Sequence, residues 1–501
     1  MLNKKRLRII WLLINLCVFS CSLGFIYWDY TNKNIFLIVF ILTLIILAIN
    51  YLVYKKLSKK TEEWKINTTT SRAEASEKFI IGLCGRFGAG CTTTAELILS
   101  EKEEFVYFSL SKYIKEKAKN EHLGFEAKQE KEKRVILQDI GDALRKNSPS
   151  FLVDVILKDV KKALIEKNVI IDSIRNDKEV EALRNVFPNF FLFAIDATTK
   201  SRWDRLRKLY AEDKGQFEID DKRDAGGDDE DKNGQQVKKC MELADVLINN
   251  DRDYSEKVEK AGQDPVERYG QKVLSYIDLI KDPGSRAPNW DETCMHHAFS
   301  IALRSACKKR QVGAVIIKES KKILPKSNEV YSEKFIIATG CNNVPVGAFP
   351  CGSDKVIKEC NRDLTKNEYI EDSKYCRKCG VMLNEKSREY KKCEQCGEKI
   401  WNIPGKILDL CRAIHAEEAA IIQAAKLGTS IDGAMLYTST FPCLLCSKKI
   451  IGSGIKEIIY LEPYPMQDSL EMLESGGILV RRYEGVNSRA FIRLFLREIE
   501  N

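Results

Sequence analysis

Two uncharged apolar stretches open the chain, at residues 9–28 and 35–53, and a polar run without periodicity follows at 61–77. At 1.5 Å rise per residue each stretch would span roughly 30 Å, the thickness of a bilayer core. Basic residues flank the outer ends of both, while the short turn between them carries one Lys and one Asp. This predicts a transmembrane helical hairpin over residues 1–60, with both termini in the cytoplasm. No small-residue cleavage pattern follows the first stretch, which argues against a removed signal peptide.

Beyond residue 78 the pattern changes. Short apolar runs at 79–83, 169–171, 190–195 and 246–248 alternate with helical stretches, which predicts a parallel α/β domain over 78–262. Residues 211–236 are acidic and glycine-bearing and read as a loop. Residues 263–501 form a further α/β unit, and no solenoid-type repeat is visible.

The formal charge is +9, but residues 1–60 account for eight of it, so the remaining 441 residues are nearly neutral. A chain that binds nucleic acid strands would carry a basic face there. Twelve of the 17 cysteines lie after residue 290, several in C-x-x-C pairs, which in so large a chain read as metal ligands rather than a disulfide framework. Only four histidines are present: His122, His296, His297 and His415.

Those counts direct attention to two short segments. His415-Ala416-Glu417 opens one helical run, and Pro442-Cys443-Leu444-Leu445-Cys446 opens another. Together they fit H-x-E…P-C-x-x-C, the signature of zinc nucleobase deaminases. Residues three apart share a helix face, and helix N-termini favour thiolates. His415, Cys443 and Cys446 leave one position of a tetrahedral zinc open for water, and Glu417 is placed to shuttle protons. A second cluster, Cys376-x-x-Cys379-Gly and Cys393-x-x-Cys396-Gly, supplies four thiolates for a closed structural zinc in an insertion at 374–399; a redox pair is the alternative. Cys351, Cys360 and Cys411 are either buried thiols or a further site with His296 or His297.

In the first α/β domain, Gly85, Gly88, Gly90 and Thr92 fit a phosphate-binding loop of Walker A spacing in which Cys91 replaces the lysine. Asp172, ending an apolar run, resembles a Walker B carboxylate. Without the lysine, a regulatory nucleotide site or a purely structural domain is expected ahead of phosphoryl transfer.

From about residue 290 the chain resembles the deoxycytidylate deaminase family. The resemblance rests on Asp291-Glu292-Thr293-Cys294-Met295, on Arg310-Gln311-Val312-Gly313-Ala314, and on Thr339-Gly340-Cys341-Asn342-Asn343-Val344-Pro345. It implies substrate contacts for Asn342, Tyr460 and Tyr464. Arg175, Arg202 and Arg205 are similar to residues of nucleoside monophosphate kinases. A kinase-like P-loop domain fused to a deaminase domain resembles the bacterial anti-phage dCTP/dCMP deaminases over residues 78–501. That family implies a homo-oligomer, an inhibitory RNA partner and depletion of deoxycytidine nucleotides. The combined expectation is an α/β protein with three parts: the hairpin, a P-loop kinase-like domain, and a cytidine-deaminase-like α/β/α domain with a zinc-ribbon insertion. It would sit as a two-pass protein of the bacterial inner membrane. An RNA- or single-stranded-DNA-editing deaminase, or a membrane-anchored nucleotide sensor with an idle site, are the rival readings.

Overall fold

A computed structural model describes residues 78–496, apart from 123, 129, 227–233, 252–264, 324–329, 349–350, 352–359, 361, 363–374, 377–378, 380, 384–392, 398–410 and 462–466. Two sheets make a mixed α/β fold. In the first, the strands β1 (Ile80–Cys84), β2 (Phe105–Ser109), β3 (Asn168–Asp172), β4 (Phe190–Asp196) and β5 (Val246–Asn249) are all parallel, in the order β5-β4-β1-β3-β2. Helices cover both faces of such a sheet, so its central strands are buried throughout and read as continuous apolar runs.

The second sheet contains β6 (Gly313–Ile323), β7 (Val330–Cys341), β8 (Met435–Thr438), β9 (Glu457–Tyr460) and β10 (Leu479–Arg482), in the order β10-β9-β8-β6-β7. Strands β8, β9 and β10 are parallel, and β6 runs antiparallel to both of its neighbours. The helices Trp290–Ala302 and Ala416–Lys426 pack on β6 and β7.

After β10 the chain returns to the first sheet. The two-residue strand β11 (Gly485–Val486) pairs antiparallel with β5. Glu292, fully buried, fixes this return: it accepts from the Val486 N–H at 3.1 Å and takes both guanidinium nitrogens of Arg286 at 2.7 and 2.8 Å. The same carboxylate closes a capping box with Asn289 at the start of Trp290–Ala302. The helix Ser488–Phe495 then covers the sheet, with the Arg493 guanidinium 3.5 Å over the Phe191 ring.

The expected two-pass membrane placement, with the membrane as partner, is corrected here. Among the described residues no helix is long and apolar enough to cross a membrane. The longest, Glu130–Asn147 and Pro265–Lys281, interleave charged with apolar residues, the pattern of a helix that buries one face only. The stretches at 9–28 and 35–53 on which the expectation rested lie outside the described residues.

Candidate metal centre and active site

Two helix N-termini converge at the second sheet. His415 is the N-cap of Ala416–Lys426, and Cys443 is the N-cap of Leu444–Gly452; both hold extended backbone angles there. Cys446 lies in the first turn of the second helix and is buried. The Cys443 and Cys446 sulfurs lie 3.2 and 3.4 Å from His415 Nδ1, and all three donor atoms fall within 4.8 Å of one another. Zinc bonds of about 2.3 Å to sulfur and about 2.0–2.1 Å to nitrogen require nitrogen–sulfur edges of roughly 3.5 Å in a tetrahedron. The donor set and its spacing therefore fit a zinc ion with three protein ligands.

The electrostatics set the two thiols apart. The hydrogen bond from Cys446 and burial act on Cys443 in opposite senses; with His415 and a backbone N–H adding to the former, its thiol is held down to about 4. Cys446 is pushed up by the same pairing and by burial. His415 is raised, first by its hydrogen bond with Cys443. Glu417, in the first turn after the histidine, is buried, and burial raises its carboxyl. Its Oε2 lies 3.6 Å from Cys446 Sγ, which places a carboxylate at the rim of the metal position.

The second cysteine cluster also comes together. Cys376 and Cys396 are 3.5 Å apart at sulfur, Cys379 and Cys393 are 3.7 Å apart, and the four sulfurs lie within 4.8 Å of one another. A four-thiolate zinc site requires sulfur–sulfur edges of roughly 3.8 Å, so these residues fit one. Cys376 and Cys393 are buried with Leu383 in a small core of their own.

On the first sheet, the loop from Gly85 to Thr92 lines a cavity of about 450 Å³. Gly90 takes φ 106°, a backbone conformation that requires glycine, and a Cβ there would also press on Asn250 Nδ2 at 2.4 Å. Thr92 and Tyr107 each donate to Asp172 Oδ2 at 3.0 Å. Cys91, in the lysine position, is raised well above its ordinary value by burial and holds no positive charge. Gly88 and Ala89 offer their carbonyls to Arg205 at 3.0 and 3.3 Å.

Comparison with known proteins agrees with both halves. The family described as "Cytidine and deoxycytidylate deaminase zinc-binding region" matches residues 288–462, and "AAA domain" matches residues 81–226. The chain is 29% identical over 246 residues to the deoxycytidylate deaminase of Schizosaccharomyces pombe, covering 48% of this chain and 54% of that protein. It is 30% identical over 197 residues to the deoxycytidylate deaminase of Saccharomyces cerevisiae, covering 39% and 45%. It is 30% identical over 192 residues to the deoxycytidylate deaminase of Enterobacteria phage T2, covering 38% of this chain and 89% of the phage protein. The chain belongs to the deoxycytidylate deaminase family. It spans about half the length of the two yeast relatives.

Within this family member, the residues expected to meet substrate sit as follows. Asn342 uses its side chain on the main chain: Oδ1 accepts from the Val312 N–H at 2.7 Å, and Nδ2 donates to the Arg310 carbonyl at 2.8 Å. It thereby ties the loop after β7 to the strand entering the site. Tyr460 ends β9, is buried, and packs edge-on against Phe441 at 4.7 Å. Tyr464 lies outside the described residues. Cys351, Cys360 and Cys411 line one small cavity beside Asn342, and Cys307 joins them, which the spacing did not reveal. The histidines are elsewhere: His296 stacks on Phe491 at 4.1 Å, and His297 is exposed.

Proposed function

We propose that this chain is a zinc-dependent hydrolytic deaminase that converts free deoxycytidine nucleotides, dCMP or dCTP, to the deoxyuridine forms. The observation that carries this reading is the meeting of His415, Cys443 and Cys446 within 4.8 Å, with the Glu417 carboxylate 3.6 Å from Cys446. Bound zinc would supply the Lewis acidity that activates water at neutral pH. Glu417 would accept a proton from the attacking water, pass it to ring N3, and deliver one to the departing ammonia. Its burial keeps that carboxylate out of bulk water, and its place two residues after the ligand histidine, in the first helical turn, sets its reach. The cysteine quartet would hold a second, structural zinc. The glycine loop would bind a nucleotide through backbone amides without transferring its phosphate, because the lysine position is a neutral thiol.

The near-neutral charge beyond residue 60 favours free nucleotides over strands. By the resemblance to the bacterial anti-phage dCTP/dCMP deaminases, a chain that carries both an AAA match and a deaminase match would drain the deoxycytidine pool against phage. The test is a panel of cytidine and deoxycytidine mono- and triphosphates, plus a cytosine-containing single-stranded oligonucleotide, incubated with the full chain and read by mass spectrometry. A gain of about one mass unit by dCMP or dCTP is expected, because water enters and ammonia leaves. Conversion of the oligonucleotide alone would install the editing reading instead, and no conversion at all would leave the sensor with an idle site.

A further inference from the structure

Deamination leaves two features without a role: the lysine-less glycine loop and a nearly dry ion pair between Asp196 and Arg482, whose side chains are 12% and 15% exposed. They lie on one continuous path. At the loop, the Ala89 carbonyl accepts from Asn250 Nδ2 at 2.7 Å. The Asn250 N–H in turn donates to the Asp196 carbonyl at 2.7 Å. Asp196 ends β4, and its carboxylate meets Arg482 at the end of β10. Arg482 stands in register opposite Tyr460 of β9, and the next residue, Tyr483, donates its N–H to the Tyr460 carbonyl at 2.7 Å. Tyr460 packs on Phe441, two residues before the ligand Cys443. A parallel tie runs from Lys272, which bonds Glu484 at 2.8 Å and reaches the Asn249 carbonyl at 3.4 Å. The Tyr460 phenol, raised to about 12 by burial, feels the charges of both Arg482 and Asp196.

We propose that the Asp196–Arg482 pair is a positioning link through which a nucleoside triphosphate on the glycine loop sets the Tyr460–Phe441 wall of the deaminase site. This rests on the deaminase and glycine-loop readings above. Closing the loop around phosphate draws on the Ala89 carbonyl and so on Asn250, and the main chain at Asp196 moves with it. The buried ion pair carries that shift across to β10 because separating two largely buried opposite charges is costly. A loop that binds without transferring phosphate keeps its ligand for as long as the pool supplies it, which suits a sensor.

The link has a two-way signature, because coupling between sites is reciprocal. With Glu417→Ala in the full chain, so that substrate is not consumed, the ATP dissociation constant is measured with and without dCMP. In the unmodified chain, the dCMP KM and kcat are measured with and without ATP. We expect dCMP to shift ATP affinity by roughly 5-fold or more. ATP should shift the dCMP dissociation constant of the Glu417→Ala chain by the same factor, and KM in the same direction. Arg482→Gln and Asp196→Asn, each added to both chains, should still bind both ligands yet lose the mutual shift, and Arg482→Lys should restore part of it. Both ligands binding with no mutual effect, or a full shift in Arg482→Gln, overturns the link. Failure of ATP to bind at all overturns the glycine-loop reading and the link together; failure of dCMP to bind overturns the deaminase reading and the link with it.

Discussion

At the scale of single residues, the proposed chemistry concentrates in four side chains, His415, Glu417, Cys443 and Cys446. Glu417 does not touch the ligand cluster except at Cys446, so replacing it should leave the metal in place. Glu417→Gln is expected to lower kcat by roughly 10²–10⁴-fold, the usual share of general acid–base catalysis, with zinc content unchanged by elemental analysis. Loss of zinc in that variant would make Glu417 a structural residue instead. Asn342 bears a different load. Asn342→Ala removes the part-buried bond from the Val312 N–H and the exposed bond to the Arg310 carbonyl, and should cost about 0.5–1.5 kcal/mol in a denaturant titration. His415, Glu417, Cys443 and Cys446 were legible in the sequence because each pair is separated by two or three positions, and a helix start brings such neighbours onto one face. Cys307 was not legible as a companion of Cys351, Cys360 and Cys411, since its approach depends on how the β6 entry and the loop after β7 fold together. The occupation of the Asn342 amide by main-chain partners is equally a tertiary fact.

Among elements, the helix Ala416–Lys426 must lie flat on β7 for His415 and Glu417 to point inward. Gly340 makes this possible: a Cβ there would stand 2.2 Å from the Ala416 carbonyl and 2.4 Å from the Ala420 nitrogen, both backbone atoms that cannot swing aside. Gly340→Ala should therefore push the ligand-bearing helix off the sheet. The expected outcome is about 1–3 kcal/mol of lost stability from overpacking, together with weaker zinc retention on dialysis. A variant with unchanged melting and metal content would mean that the helix has slack. The strands β1, β3, β4 and β5 were readable as apolar runs because a two-sided parallel sheet buries every position. β2, with the sequence FVYFS, was missed; it sits at the sheet edge with Tyr107 exposed, so its burial is incomplete. β11 is two residues long and has no sequence signal at all.

For the whole molecule, the C-terminal return is the feature that sequence could not announce. Gly485 pairs with Leu247 across 238 positions, and only a folded second sheet brings them together. Glu292 is the hinge of that return, accepting from Arg286, Asn289 and Val486. Breaking a buried charge pair costs roughly 3–5 kcal/mol, and less here because Arg286 is 34% exposed. Glu292→Gln should accordingly destabilise the chain by about 2–3 kcal/mol and release residues 485–495 to early proteolysis. An intact protease pattern would show that the return is held by other contacts.

Deamination by this chain would depend on zinc bound between the two helix N-termini. The most direct measurement follows zinc and deamination of dCMP and dCTP together in one preparation of the full chain, first as isolated, then after exhaustive chelation, then after zinc is returned. Turnover should disappear as the His415–Cys443–Cys446 site empties and come back with stoichiometric zinc, whereas a His415→Ala chain treated in parallel should remain inactive throughout. Undiminished turnover in metal-free protein, or an active His415→Ala chain, would contradict that dependence.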